Sequence, residues 1–375
     1  MNLGLYVHVP FCRTRCHFCA FTLQIHREDR VQRYLDSLAR EMQLHAQQQS
    51  LAGRRLDTVY FGGGTPTTLS VPQLLSIFRQ VRDMFGVEDA AEISVEAHPD
   101  TVTEDGLRAL AAAGVNRISF GAQSMNDDEL LHLGRRTSGD RTQAAVAMAR
   151  AAGFSNINLD LIYGVPGQTL DGWLATLDDV LSMEPAHLSC YALTVEEKTR
   201  LHVDVRRGDV AEPDASLQND MEDAAAGRLA KAGFMRYEIS NYCRPGHACR
   251  HNLLYWQGHD YLGLGPSAQS YLDGRRFGNV ESLDTYGSML DAGRLPIADS
   301  ETLSADQRLR ERLVFGLRLI EGVDQVLLRH EPPDRACQQA VDQLTRRGLL
   351  EERAGRLRLT EQGRRFADSV AAELI

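Results

Sequence analysis

No apolar run in this chain of 375 residues approaches the roughly 18 to 20 residues of a bilayer-spanning helix. No transmembrane segment is therefore expected. The first ten residues also lack the charged start and long apolar stretch of a signal peptide. These two absences predict a cytoplasmic protein. Positive charge is in deficit: 41 Lys and Arg stand against 51 Asp and Glu, a net charge of −10, with a pI of about 5.7. A general nucleic-acid binder carries a basic patch and a high pI, so nucleic acid is not an expected partner. There is no internal repeat and no low-complexity tract. What remains is 43% apolar and 25% charged, an ordinary globular composition with material for a core. The length predicts two or three domains.

Seven cysteines is an odd number, and a disulfide framework is not expected in so large a chain. Cys190 and Cys337 read as small buried hydrophobes. Cys12, Cys16 and Cys19 read differently. They form C-x3-C-x2-C with no adjacent fourth cysteine. Zinc usually asks for a second pair of Cys or His ligands at matching spacing. His17 is next to Cys16, but side chains of adjacent residues diverge. A redox dithiol uses Cys16 and Cys19 and leaves Cys12 unexplained. Three thiolates on one loop suit three irons of a [4Fe–4S] cluster, with the fourth iron open to a small molecule.

Strand-like runs at Leu3–Val9, Thr58–Phe61, Glu92–Glu96, Arg117–Phe120, Asn156–Ile162 and His187–Leu193 alternate with amphipathic stretches. The latter are Arg30–Ala46, Val71–Met84, Thr103–Ala112, Arg141–Ala151 and Leu170–Leu181. Gly114 and Gly153 read as helix stops. The rhythm predicts an α/β fold with a parallel sheet, a partial (β/α)6 barrel. Functional groups in such barrels gather at the C-terminal ends of strands. The cysteine loop, a glycine run and Glu96 follow or end strands one to three, so they are expected at one mouth. Residues 196–235 are acidic and helix-prone. Residues 236–275 are aromatic, glycine-rich and short on helical period. From about Ser304, helix, turn and short ribbon predict a winged-helix-like unit used for packing. The expected division is 1–235, 236–300 and 301–375. His8, His98 and His187 read as packing or hydrogen-bonding residues.

Tyr60-Phe-Gly-Gly-Gly-Thr-Pro-Thr67 supplies bare N–H groups and close backbone approach after a strand. It is not a nucleotide P-loop. Paired with the cysteine motif, it resembles the radical S-adenosylmethionine (radical SAM) superfamily. That resemblance implies SAM chelated at the open iron and cleaved to a 5′-deoxyadenosyl radical. The runs Tyr6-Val-His-Val-Pro-Phe-Cys12, Gly121-Ala-Gln-Ser124, Leu133-Gly-Arg-Arg136, Asp160-Leu-Ile-Tyr-Gly-Val-Pro-Gly-Gln-Thr169 and Tyr191-Ala-Leu193 are similar to the branch of oxygen-independent coproporphyrinogen III oxidase. Carried over position by position, the resemblance implies SAM contacts from Tyr6, Phe18, Gly63, Gly64, Thr65, Glu96, Gln123, Arg135, Asp160 and Ala192.

Two departures from the oxidase stand out. Its pattern has a further cysteine two residues after the third, where this chain has Phe21. It also has a longer N-terminal extension before the segment equivalent to Tyr6. Both favour the shorter relatives of the branch, the HemW heme chaperones. His251-Asn-Leu-Leu-Tyr-Trp256 matches their H-N-x-x-Y-W motif, and Tyr261-Leu-Gly-Leu-Gly-Pro-Ser-Ala268 is also similar to them. The resemblance implies His251 as a heme ligand, with Cys249 as the runner-up. It further implies a hemoprotein recipient, with a reductant protein as a further partner. The alternative is a radical SAM methyltransferase or dehydrogenase; coproporphyrinogen III dehydrogenase activity is not expected.

Overall fold

The strands of the first half are written with a period of two. In the computed structural model, which describes residues 3–326 and 334–375, β1 spans Leu3–Val9. Its Leu3, Leu5, Val7 and Val9 are buried in the main core. Gly4, Tyr6 and His8 alternate with them and point the other way. The pattern repeats in β2 (Leu56–Gly63), β3 (Val87–Ala97), β4 (Arg117–Gln123), β5 (Asn156–Tyr163) and β6 (His187–Ala192). Ile118, Phe120 and Ala122 of β4 are fully buried on the helix side, and Arg117, Ser119 and Gly121 take the alternate positions. A period of two thus gives an apolar outer face and a largely polar inner one.

The outer face is covered by α1 (Glu28–Ala46), α2 (Val71–Phe85), α3 (Glu104–Ala112), α4 (Gly139–Ala151) and α5 (Leu170–Ser182). Their starts are set locally. Ser70 and Gln73 form a capping box, and Thr103, Ser138 and Thr169 accept N–H groups of the first turns. Gly114 (φ 99°) and Gly153 (φ 96°) stop α3 and α4 in the left-handed region.

Strands β1 to β6 lie side by side, all parallel. The six-stranded barrel read from the sequence is present. The sequence did not show what extends it. A seventh parallel strand, β7 (Asp260–Leu264), pairs with the free side of β1, Leu3 beside Asp260 and Val7 beside Leu264. Antiparallel strands Gln269–Leu272, Arg275–Asn279 and Ile297–Thr302 follow it. On the other flank Asn241–Cys243 runs antiparallel to β6 and Met235–Arg236 antiparallel to Asn241–Cys243, completing a twelve-stranded sheet. The segment read as short on helical period also contains a helix, Arg250–Trp256. Seven residues are two turns, too few for a periodic signal.

After Thr302 the chain forms a unit with its own core of Leu313, Leu317, Val323, Leu344, Leu349, Leu357 and Leu359. Helices Ala305–Gly316 and Arg335–Arg346 precede a ribbon of Leu350–Arg353 and Arg356–Leu359, edged by Val323–Asp324. This is the winged-helix-like arrangement expected; residues 327–333 of it lie outside the described residues. Among the described residues, no helix is long and apolar enough to cross a membrane.

Glu41 of α1 ties the barrel to its C-terminal extension. Fully buried, it accepts hydrogen bonds from the Gly265 N–H (2.8 Å), the Tyr286 hydroxyl (2.6 Å) and the Asn279 amide. Burial pushes its carboxyl up to about 7, against the pull of those donors. A folded pKa above the unfolded one gives stability that is full below about pH 4.5 and is lost as pH rises through about 7. Glu41→Gln turns a donor toward donors and should cost about 1–3 kcal/mol. Urea midpoints at pH 5 and pH 8 check this. The deficit against the parent should be smaller at pH 8, where the parent has lost its own share.

Candidate cofactor site

The loop carrying the cysteines is pinned on both sides. Phe11–Cys12 pairs with Gln24–Ile25, and Phe11 is buried edge-on against Tyr34 with ring centroids 5.6 Å apart. The His17 N–H donates to the Leu133 carbonyl (2.9 Å), and the Leu201 N–H to the His17 carbonyl (2.8 Å). The His17 ring lies where a side chain on Gly134 would be, 2.5 Å from an added Cβ. Gly134 therefore has to be glycine, and its φ of 74° demands the same.

The glycine run lies against this loop. The N–H groups of Gly64 and Thr65 donate to the carbonyls of Val9 (2.9 Å) and Phe11 (2.7 Å). A Cβ on Gly64 would meet the Phe11 carbonyl oxygen at 2.6 Å. Thr65 Oγ1 is 3.5 Å from Cys12 Sγ. All three thiols are half-buried and line one cavity. Burial pushes the Cys12 thiol up to about 11, and burial also raises Cys19. Among the described residues, no three His, Cys, Asp or Glu side chains converge on a point that would hold one metal ion. In a [4Fe–4S] cluster each thiolate binds its own iron.

The cavity has a volume of about 680 Å³, and every site residue proposed from the sequence lines it: Cys12, Cys16, Cys19, Tyr6, Phe18, Gly63, Gly64, Thr65, Glu96, Gln123, Arg135, Asp160, Ala192 and His251. Glu96 accepts from the Tyr60 hydroxyl (2.9 Å) and the Gly63 N–H (3.2 Å). Burial, then the charge of Asp160, pushes its carboxyl up to about 7. Asp160 accepts from Ser119 Oγ (3.1 Å) and the Asn158 amide (2.8 Å). Arg135 donates to Cys16 Sγ (3.7 Å) and to the Gly121 carbonyl, and its buried Nε has no partner. Gln123 is held at φ 69° beside a register shift in β4. A bulge re-aims a side chain, and a non-glycine residue in the left-handed region stores strain of the kind found at binding sites.

His251 lies at the opposite end of the barrel from the cysteines. An added Cβ on Gly4, near the start of β1, would be 3.3 Å from its ring. Thr58 Oγ1 is 2.7 Å from its Nδ1 and the Tyr255 hydroxyl 2.8 Å from its Nε2. Tyr60 stacks on the ring at 5.1 Å and Tyr255 meets it edge-on at 4.9 Å. Burial, helped by Arg117, pushes the imidazole down to about 3. The ring is therefore neutral at physiological pH, the form that ligates a metal. The surrounding aromatics close on the histidine instead of leaving it a bare face. Cys249 does not line the cavity; its Sγ is 3.5 Å from Glu92 Oε1. His8, His98 and His187 have the bonding roles expected, His187 between Asn158 (2.6 Å) and Tyr237 (2.9 Å).

Tyr60, Arg117, Asn158 and Tyr255 also line the cavity and were missed from the sequence. A signal existed for Arg117 and Asn158. Arg117-Ile-Ser-Phe and Asn156-Ile-Asn-Leu-Asp alternate polar and apolar residues inside strands whose outer faces are covered by helices. The polar set must then face inward.

Residues 6–180 match the radical SAM superfamily, and residues 303–366 match the HemN C-terminal domain. The heme chaperone HemW of Mycobacterium tuberculosis is 39% identical, over 99% of this chain and 94% of its own length. The chain belongs to the HemW heme chaperone family. Within that family, HemW of Bacillus subtilis and of Escherichia coli are each 32% identical, over 97% and 98% of this chain and 97% of their own. Among solved structures, the coproporphyrinogen III oxidase HemN of Escherichia coli, a radical SAM enzyme, superposes with a TM-score of 0.87. It covers all of this chain and 90% of HemN at 25% identity. This HemW-family chain thus shares a backbone with the oxidase while its sequence is closer to the chaperones. The position where the oxidase pattern carries a further cysteine is Phe21, 65% exposed at the cavity's edge.

Proposed function

We propose that this protein is a heme chaperone that binds a [4Fe–4S] cluster, SAM and heme, and delivers heme to a hemoprotein. One observation carries the reading: the three-cysteine loop and the neutral imidazole of His251, on the H-N-x-x-Y-W motif, line the same cavity. A volume of about 680 Å³ is ordinary for a small-molecule or cofactor site. Cys12, Cys16 and Cys19 hold the cluster, which supplies an electron at low potential when bound. Arg135 has an unpartnered Nε for the SAM carboxylate. Glu96 and Asp160 accept from its hydroxyl or amine groups, and the backbone of Gly63 and Gly64 allows close approach. Tyr6, Phe18, Thr65, Gln123 and Ala192 complete that site. His251 would hold heme iron with its neutral imidazole. Thr58 on Nδ1 is the partner that orients such a ligand.

On this reading the SAM core spans 1–235, the heme motif lies within 236–300, and the winged-helix-like unit spans 301–375. The cytoplasm is the compartment that keeps the thiols reduced, and a reductant protein reduces the cluster. The test is a hemin titration of the purified protein, paired with anaerobic incubation with SAM, reductant and coproporphyrinogen III. A saturable Soret change and unaltered coproporphyrinogen are expected. Decarboxylation of coproporphyrinogen without a Soret change would overturn the proposal.

A further inference from the structure

Arg117 is the largest fully buried polar side chain of the barrel, and it lines the cavity. Its Nε and Nη1 are buried and have no hydrogen-bond partner. Two other sheltered arginines each have a carboxylate at hand, Arg54 with Asp260 (2.8 Å) and Arg236 with Glu222 (2.5 Å). A buried guanidinium without a partner is expensive, so such a group implies a ligand anion or a function.

The neighbours of Arg117 do not meet that need. Cys249, Tyr60 and Tyr237 are its electrostatic neighbours, but the Tyr60 hydroxyl is engaged by Glu96 (2.9 Å), the Tyr237 hydroxyl by His187 (2.9 Å) and Cys249 Sγ by Glu92 (3.5 Å). Glu92 also faces it. Both Glu92 oxygens already accept the N–H groups of Arg250 and His251, each at 3.0 Å, at the start of the helix that carries the heme motif. One level up the strands, Asn158 is satisfied by Ser119, Asp160 and His187. That polar layer is closed on itself and offers Arg117 no acceptor.

We propose that Arg117 receives a carboxylate of the tetrapyrrole, a heme propionate, when heme occupies the cavity. This rests on the heme reading above and deepens it. Three observations favour the assignment. Arg117 opens β4, and His251 lies against Gly4 and Thr58 near the starts of β1 and β2, so both are at the same end of the barrel. Guanidinium is the side chain best matched to a carboxylate. Glu96 and Asp160 line the same cavity, and they oppose a phosphate dianion more than a singly charged carboxylate. The other carboxylate source is SAM, which the test separates.

The unmodified protein is titrated with hemin and with hemin dimethyl ester in the same detergent, followed by Soret absorbance. The ester removes the anion and keeps the iron and ring. It should bind about 10- to 100-fold more weakly, the worth of one charge-assisted hydrogen bond. Arg117→Gln should weaken hemin by a similar factor and leave the ester unchanged; Arg117→Lys should recover part of the loss. SAM affinity of each variant, by equilibrium dialysis, should stay at the parent value. Equal binding of hemin and ester to the parent overturns the proposal, with or without a folded variant. Loss of SAM affinity with hemin affinity intact also overturns it, by giving Arg117 to the other carboxylate. Absence of any Soret change in the parent is a different failure, that of the heme reading itself.

Discussion

His251→Ala loses heme binding by at least about 100-fold in a hemin titration. The scale comes from metal sites in general, where partners of a ligand alone are worth about 10- to 100-fold, and on the proposed reading His251 is the ligand itself. Its environment explains why no neighbour substitutes. Tyr255 and Thr58 hold the two ring nitrogens, and Cys249 is turned away toward Glu92. Burial keeps the imidazole neutral, so heme binding should displace no proton from it at neutral pH. Two controls separate ligation from folding. Added imidazole should restore part of the Soret change in His251→Ala. Thr58→Val should give a smaller loss, because it removes only the orienting hydrogen bond. An unchanged titration in His251→Ala would sink the ligand assignment.

Serine in place of any one of Cys12, Cys16 or Cys19 lowers iron after anaerobic reconstitution from about four per chain to below about one. The three thiols line one cavity, and no three metal-ligating side chains among the described residues converge on a point. A site built this way has no spare thiol: Cys190, Cys243, Cys249 and Cys337 are all buried and none lines the cavity. SAM binding should fall with the iron, since its amino and carboxylate groups need the open iron. Cys337→Ser, in the core of the C-terminal unit, should reconstitute like the parent. Iron and acid-labile sulfide assays decide. Full cluster content in a single-serine variant would remove that cysteine from the ligand set.

The barrel was legible because its signals are local. Each crossover helix of α1 to α5 is nine residues or longer, enough for a face to repeat. Ser70, Thr103, Ser138 and Thr169 mark the starts of four of them. The cysteine and glycine motifs were legible because function there depends on spacing along a single loop. Three things were not. Helix Arg250–Trp256 is too short to show a period. The pairing of β7 with β1 joins residues some 257 positions apart, and no local pattern encodes it. Arg117 was hidden by reading its strand for apolar content alone. The alternation that makes it face inward was visible, but its meaning depends on knowing that helices cover the other side.

The β1–β7 pairing has a consequence for synthesis. Strand β1 and the cysteine loop leave the ribosome before the other strands of the barrel, yet the edge of β1 is open until Asp260–Leu264 exists. About 250 residues at roughly 5–20 residues per second is on the order of 12–50 s. The helix bearing His251 arrives in the same late stretch of chain. Through that interval six of the seven parallel strands exist, and the cysteine loop follows a strand with one open edge. On the proposed reading, the cluster ligands are made well before the strand that closes the edge beside them.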